Sequence, residues 1–359
     1  MKARDDHDAL LAGRHVLVTG GTGSLGAAVV ERMLSGRHGQ PERIVVFSRD
    51  EAKQHELRQR WLRNLAATDA EIWRESTTRR VQFRVGDVRD RDALASALDG
   101  VDTLIHAAAL KQVPTCEYFP AEAVRTNVLG TENIVAAARG ARAHLRCVVG
   151  ISTDKAVKPV NAMGMTKALA ERILLRATLD IPECRFSIVR YGNVAASRGS
   201  VLPLFLEQAA RGGPMTVTDP SMTRFLLSLD EAVDAVMRAL AHGLPGETLV
   251  PRLPAARVAD IARAVAGNRP IEIRVTGIRP GEKIHEVLIA AEERPRTTMR
   301  GRDFCVASIL PEIADAQCDT AADLPFAAEY SSADATIGVE GVRKLLEAAG
   351  LLDPEKLCA

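Results

Sequence analysis

Three consecutive residues, Thr153-Asp154-Lys155, set a hydroxyl, a carboxyl and an amine side by side. Proton transfer at neighbouring carbons needs an acid and a base within reach of one bond, and Asp154 with Lys155 supplies both types. The competing reading is structural: a Thr N-cap followed by a surface ion pair. Met163 and Lys167 follow, four apart and therefore on one helical face. A second constellation lies near the start, where Gly20, Gly23 and Gly26 are spaced G-x-x-G-x-x-G between a strand and a helix. Glycine there permits a tight turn and close approach of backbone to a pyrophosphate, which the free N–H groups of the helix start attract. About 20 residues further on, a carboxylate would suit the ribose of NAD and an arginine the 2′-phosphate of NADP. Ser48, Arg49 and Lys53 favour NADP, while Asp50 keeps NAD open. Asp87, in Gly86-Asp87-Val88, is placed to meet the adenine edge.

These residues need a scaffold that delivers them to one edge. Short apolar runs at 15–18, 43–47, 81–85, 103–106, 147–151 and 186–190 alternate with helical patterns, which predicts a doubly wound parallel sheet of Rossmann type. The glycines follow the first strand, Ser48-Arg49 the second and Thr153-Asp154-Lys155 the fifth, all at the carboxyl edge where such sheets hold ligands. Residues 10–190 with about 225–250 are expected to form the dinucleotide-binding domain. Residues 191–224 and 251–346, rich in proline and short segments, are expected to form a smaller substrate lobe. The segment 231–242 is an amphipathic helix expected to return to the first domain.

Composition narrows the function class. Hydrophobic residues are 47% and aromatic ones only 4%, as a core of small and branched aliphatics requires. Lys plus Arg (47) nearly cancel Asp plus Glu (46), so no bulk field points to nucleic acid or an anionic membrane. Cys116, Cys147, Cys184, Cys305, Cys318 and Cys358 are scattered, without a C-x-x-C pair, which argues for reduced thiols and against a zinc site. No metal is expected. The polar start lacks an apolar signal region and no run of 18 apolar residues occurs, so a cytoplasmic protein is expected.

The longer motifs are more specific. They are Phe47-Ser48-Arg49-Asp50-Glu51, Ala107-Ala108-Ala109-Leu110-Lys111-Gln112-Val113-Pro114, Thr126-Asn127-Val128-Leu129-Gly130-Thr131, Arg190-Tyr191-Gly192-Asn193-Val194, Gly199-Ser200-Val201 and Gly277-Ile278-Arg279-Pro280-Gly281-Glu282-Lys283. With them the chain resembles the extended short-chain dehydrogenases/reductases. It is most similar to the single-domain UDP-N-acetylglucosamine 4,6-dehydratases of the pseudaminic-acid and capsule pathway type. The resemblance implies oxidation of the sugar at C4, loss of the C5 proton and the C6 hydroxyl as water, and return of the hydride to C6.

Thr153 would then hydrogen-bond the C4 oxygen, and Lys167 would hold the nicotinamide ribose. Lys155 would be the C5 base if its pKa is lowered, and Asp154 the C6 acid if its pKa is raised. Cofactor contacts would include Ser24, Leu25, Val88, Ala107, Ala108 and Lys111. Lys111, Asn193, Arg198, Val201, Thr216, Arg224, Arg279 and Glu282 would hold the UDP-sugar. Met163 occupies the place of the active-site Tyr of a Tyr-x-x-x-Lys pair. A thioether cannot carry the C4-hydroxyl proton, so Asp154 or Lys155, through Thr153 or water, is expected to accept it. Relatives assemble as dimers or hexamers, so a homo-oligomer is expected. The other readings are a UDP-hexosamine 4-epimerase, a 5,6-dehydratase and a non-catalytic NADP-binding regulatory protein.

Overall fold

A computed structural model describes residues 9–63, 80–141, 143–195, 200–314 and 324–352. Its centre is a nine-stranded sheet. The first six strands are β1 (His15–Thr19), β2 (Arg43–Ser48), β3 (Val81–Val85), β4 (Thr103–His106), β5 (Cys147–Thr153) and β6 (Arg185–Tyr191), all at the predicted places. They run parallel in the order β3-β2-β1-β4-β5-β6. The reversal of order between β1 and β4 opens a crevice at the carboxyl edge, the usual ligand position of a Rossmann-type sheet.

Side-chain alternation makes two cores. Val16 and Val18 of β1 join Val29, Val30 and Met33 of the helix Ser24–Leu34 and Val233 and Val236 of the helix Leu229–His242. Leu17 points the other way, with Leu94, Ile134, Ala138 and Leu174 on the helices that cover the opposite face. The helix Leu229–His242 starts on a capping box. Ser228 N donates to Glu231 Oε2 at 2.7 Å and Glu231 N to Ser228 Oγ at 3.1 Å.

Beyond β6 the chain alternates between sheet and lobe. Short pairings join β7 (Asn193–Val194), β8 (Met215–Val217), β9 (Thr223–Leu227), β11 (Ala255–Arg257) and β12 (Ile273–Val275). A third core, with Phe205, Met215, Val217, Ile261, Val265 and Val342, sits beneath them. One part of the expected lobe lies elsewhere. After β10 (Thr248–Pro251) and β13 (Val287–Ile289), the strands β14 (Thr297–Arg300) and β15 (Asp303–Val306) extend the large sheet, β15 pairing antiparallel with β10. Arg238 fixes this return by donating Nη2 to Asp303 Oδ1 at 2.8 Å. β16 (Tyr330–Ser331) pairs with β13. Four cysteines, Cys116, Cys147, Cys184 and Cys305, are buried free thiols, while Cys318 and Cys358 lie outside the described residues. Among the described residues no helix is long and apolar enough to cross a membrane.

Candidate active site

A cleft of about 1000 Å³ runs along the carboxyl edge of the sheet and under the loop that carries residues 277–283. At one end lie Gly20, Gly23, Ser24, Leu25 and Gly26. Gly20 has φ +66°, and a Cβ there would stand 2.8 Å from the Ala108 backbone; one on Gly26 would stand 2.4 Å from Gly20 O. Only glycine leaves this turn open. No side chain caps the helix at Gly23, so the first amides of Ser24–Leu34 are left to a ligand. This backbone cradle fits a dinucleotide pyrophosphate.

Ser48, Arg49, Lys53, Asp87, Val88, Ala107, Ala108 and Lys111 line the same end. Lys53 is paired with Asp50 through its amine, and its amide donates to Asp50 Oδ1 at 3.0 Å. Arg49 Nη1 approaches Asp87 Oδ2 at 3.6 Å and is half exposed. Ser48 Oγ accepts from Gln54 Nε2 at 3.0 Å. Burial opposes the charge on Asp87. Even so, hydrogen bonds from Arg89 and the positive charge of Arg49 hold its carboxyl below the usual range.

At the middle of the cleft stand Thr153, Lys155, Met163 and Lys167. β5 ends at Thr153, and a turn of 3-10 helix, Asp154–Ala156, puts the next two side chains to work in different layers. Asp154 is 0% exposed and lies behind the cleft wall, whereas the Lys155 side chain is 20% exposed and faces it. Thr153 Oγ1 and Lys155 Nζ both donate to Asp154 Oδ1 at 2.9 Å, leaving Oδ2 without a hydrogen-bond partner. Lys155 Nζ also approaches Asn193 Oδ1 and Glu286 Oε1, each at 3.5 Å. The condition for Lys155 to act as a base is not met. Burial works against its charge, but Asp154 and Glu286 outweigh burial and raise its pKa above the ordinary lysine value. Lys155 is therefore held as an ammonium.

Lys167 is different. It donates to Ile151 O at 2.6 Å, and burial, partly offset by Glu171, pushes its pKa down to about 8. Met163 is buried with Cys116 and Ala123 in a small apolar cluster. None of the three tyrosines takes a phenol to its place. Tyr118 is 83% exposed and Tyr330 is bound to the Leu253 backbone. Tyr191 lines the cleft as the register partner of Thr153, and burial raises its phenol pKa above its usual value. Asn127 lies in a π-helical turn, Val124–Leu129, where it binds both backbone groups of Leu110 and reaches Thr166 Oγ1 at 3.0 Å.

The remaining predicted residues, Asn193, Val201, Thr216, Arg224, Arg279 and Glu282, all line the cleft, with Asn193 beside Lys155. Arg198 lies outside the described residues. Arg224 donates to Thr223 O at 2.8 Å and Ile284 O at 3.1 Å, and Glu282 Oε2 accepts from Arg279 N at 3.2 Å. Thr216 is held by Gln208. Two residues escaped the sequence reading. Asn161 caps the helix Ala162–Asp180 and donates Nδ2 to Gly281 O at 2.7 Å, fastening the loop over the cleft. Glu286, 2% exposed, stands among Lys155, Lys283 and Arg224. Its signal was its place three residues past Lys283, at the end of a motif already singled out.

Comparison with known proteins gives the chain its family. A family model described as "Polysaccharide biosynthesis protein" matches residues 16–308. A Rickettsia conorii protein named UDP-glucose 4-epimerase is 43% identical over 311 residues, covering 83% of this chain and 86% of that one. The X-ray structure of Pen from Bacillus thuringiensis superposes with a TM-score of 0.82 at 32% identity, covering 94% of this chain and 99% of that one. The dTDP-glucose 4,6-dehydratase DesIV from Streptomyces venezuelae, solved with NAD and TYD bound, shares the fold with a TM-score of 0.64 at 22% identity, covering 75% and 86%. The proteins it resembles thus include one named UDP-glucose 4-epimerase and, in fold, a dTDP-glucose 4,6-dehydratase. With the glycine cradle, the Thr-Asp-Lys turn and the loop over the cleft all inside the matched span, the chain belongs to the polysaccharide biosynthesis protein family.

Proposed function

We propose that this protein dehydrates UDP-N-acetylglucosamine, or a close relative, to a UDP-4-keto-6-deoxy-hexosamine with NADP as its dinucleotide. The observation that carries the reading is the geometry of Lys155, whose amine donates to Asp154 and faces the cleft beside Thr153. A bound dinucleotide supplies the reversible oxidation at C4. Thr153 Oγ1, which donates to Asp154 Oδ1, receives the C4-hydroxyl proton as it passes its own to that carboxylate. Lys155 gives a proton to the C6 oxygen as water leaves, its freed amine takes the C5 proton, and it returns a proton to C5 as C6 is reduced. The proton held at Asp154 Oδ1, which accepts from Lys155 Nζ, then restores the ammonium. The C4-hydroxyl proton thus makes good the one lost in the water, and no phenol is needed in the place of Met163. Arg224 and Arg279 are assigned to the diphosphate and Glu282 to ribose hydroxyls. Arg49, with Ser48 beside it, is the main support for NADP over NAD.

The Rickettsia relative's name favours a second reading, C4 epimerisation. An epimerase would share the oxidation at C4 but has no water to expel, and so has no need of an acid at the C6 oxygen. Incubation with UDP-N-acetylglucosamine or UDP-glucose in deuterated water, with NADP or NAD added, tests both by NMR. A 4-keto-6-deoxy product carrying deuterium at C5 is expected, and its C5 configuration tells retention from inversion. A 4-epimer without solvent deuterium would overturn the dehydratase reading.

We also infer a cytoplasmic homo-oligomer. Tyr118, Phe119, Leu129, Met165 and Leu169 are exposed apolar side chains on neighbouring helical segments, a surface suited to a second copy.

A further inference from the structure

We propose that Glu286 is a positioning residue for Lys155: a second buried carboxylate that, with Asp154, holds the ammonium charged and aimed into the cleft. The inference rests on the dehydratase reading for its consequence, but the pairing itself does not. Glu286 comes from a distant stretch of chain and is fixed before it meets the lysine. Its amide donates to Ser332 Oγ at 2.9 Å and its carbonyl accepts from Ser332 N at 2.8 Å. Ser332 is itself fully buried and bound to Thr223 Oγ1 at 2.6 Å. A backbone held on both sides aims its side chain, as a supporting residue must.

The carboxylate then sits 3.5 Å from Lys155 Nζ through Oε1 and 3.7 Å from Lys283 Nζ through Oε2. Arg224 Nε is 4.0 Å away. Glu286 Oε2 is buried without a hydrogen-bond partner and meets only the longer ion pair to Lys283. Lys283 Nζ donates instead to Val157 O at 2.6 Å, and Arg224 to two backbone carbonyls. Lys155 has Asp154 at 2.9 Å and Glu286 at 3.5 Å as its two carboxylates, with Asn193 as a third acceptor. The charged groups facing Lys155 are therefore Asp154, Glu286, Arg224 and Lys283. Lys167, on the helix packed against the same turn, is bound to Ile151 O. A lysine between two carboxylates is a proton donor that recovers its charge after each transfer.

The test measures Lys155 directly in the full chain purified with its dinucleotide. Trace acetylation across pH, read by mass spectrometry, gives the midpoint at which Lys155 loses its proton. Glu286→Gln is expected to lower that midpoint by about one unit or more. It is also expected to move the alkaline limb of kcat down by the same amount with little change in KM. Glu286→Asp, which draws the carboxylate back by one methylene, is expected to give a smaller shift of both and covers the case in which Glu286→Gln does not fold. An unchanged midpoint in a folded variant overturns the proposal. Because acetylation needs no turnover, a protein inactive on UDP-N-acetylglucosamine would sink the dehydratase reading while still deciding the role of Glu286.

Discussion

Two buried charged clusters flank the end of β6, and they are built to opposite standards. In the first, Arg190 meets Glu171 from the helix Ala162–Asp180 and Glu293 from the chain after β13. Its Nε and Nη2 reach Glu171 at 3.0 and 2.7 Å, and its Nη1 reaches Glu293 at 2.8 Å and Leu288 O at 3.0 Å. Each guanidinium nitrogen is satisfied, and Glu293 also accepts from Ala290 N at 3.1 Å. In the second, Lys155, Lys283 and Arg224 surround Asp154 and Glu286, yet Asp154 Oδ2 and Glu286 Oε2 have no hydrogen-bond partner. The Arg190 cluster is closed to solvent, while Lys155 opens to the cleft. A fully bonded charge cluster fixes the packing of three segments. One left short of partners at a cleft is free to move a proton or take a ligand.

That contrast can be broken by experiment. Lys155→Gln is expected to reduce kcat by about 10²- to 10⁴-fold, seen as loss of C5 deuterium incorporation. Its midpoint of chemical unfolding should move less than that of the Arg190 variant, and wild-type turnover would remove the functional half of the comparison. Arg190→Met leaves Glu171 and Glu293 buried without their cation and is expected to cost about 3–5 kcal/mol, measured by denaturant titration. A loss below about 1 kcal/mol would show that the closed cluster contributes no more than a surface pair.

The smallest effect concerns Lys167, which shares the helix of Glu171. With a pKa lowered to about 8, Lys167 is charged below that pH and neutral above it. Dinucleotide affinity should therefore weaken, by less than about tenfold, as pH rises from about 7 to about 9. Fluorescence titration checks this, and a Lys167→Met protein that kept the same pH dependence would exclude Lys167 as its source. The folded protein gives up this proton before the unfolded chain does. Unfolding free energy thus gains from Lys167 as pH rises from about 8 toward the ordinary lysine value.

By itself the sequence determined what local pattern can encode. Apolar runs separated by helical patterns set the six parallel strands, and glycines placed after β1 set the cradle. Thr153-Asp154-Lys155 marked the carboxyl edge of the sheet, and nearly all the residues assigned from motifs line one cleft there. Only the tertiary structure decided how those residues are charged and which faces ligand. Asp154 and Lys155 are neighbours in sequence, but the turn after β5 buries one and opens the other. Lys53 is tied to Asp50, and residues 297–306 return to the large sheet. Glu286 reaches Lys155 because Ser332 and the packing of β13 bring it there, and after Asp154 its carboxylate helps hold the Lys155 pKa above the ordinary lysine value. The physical reason is that a side chain's protonation depends on the charges within a few ångströms of it. At this sheet edge those charges arrive from separate loops, and no local periodicity records where loops converge.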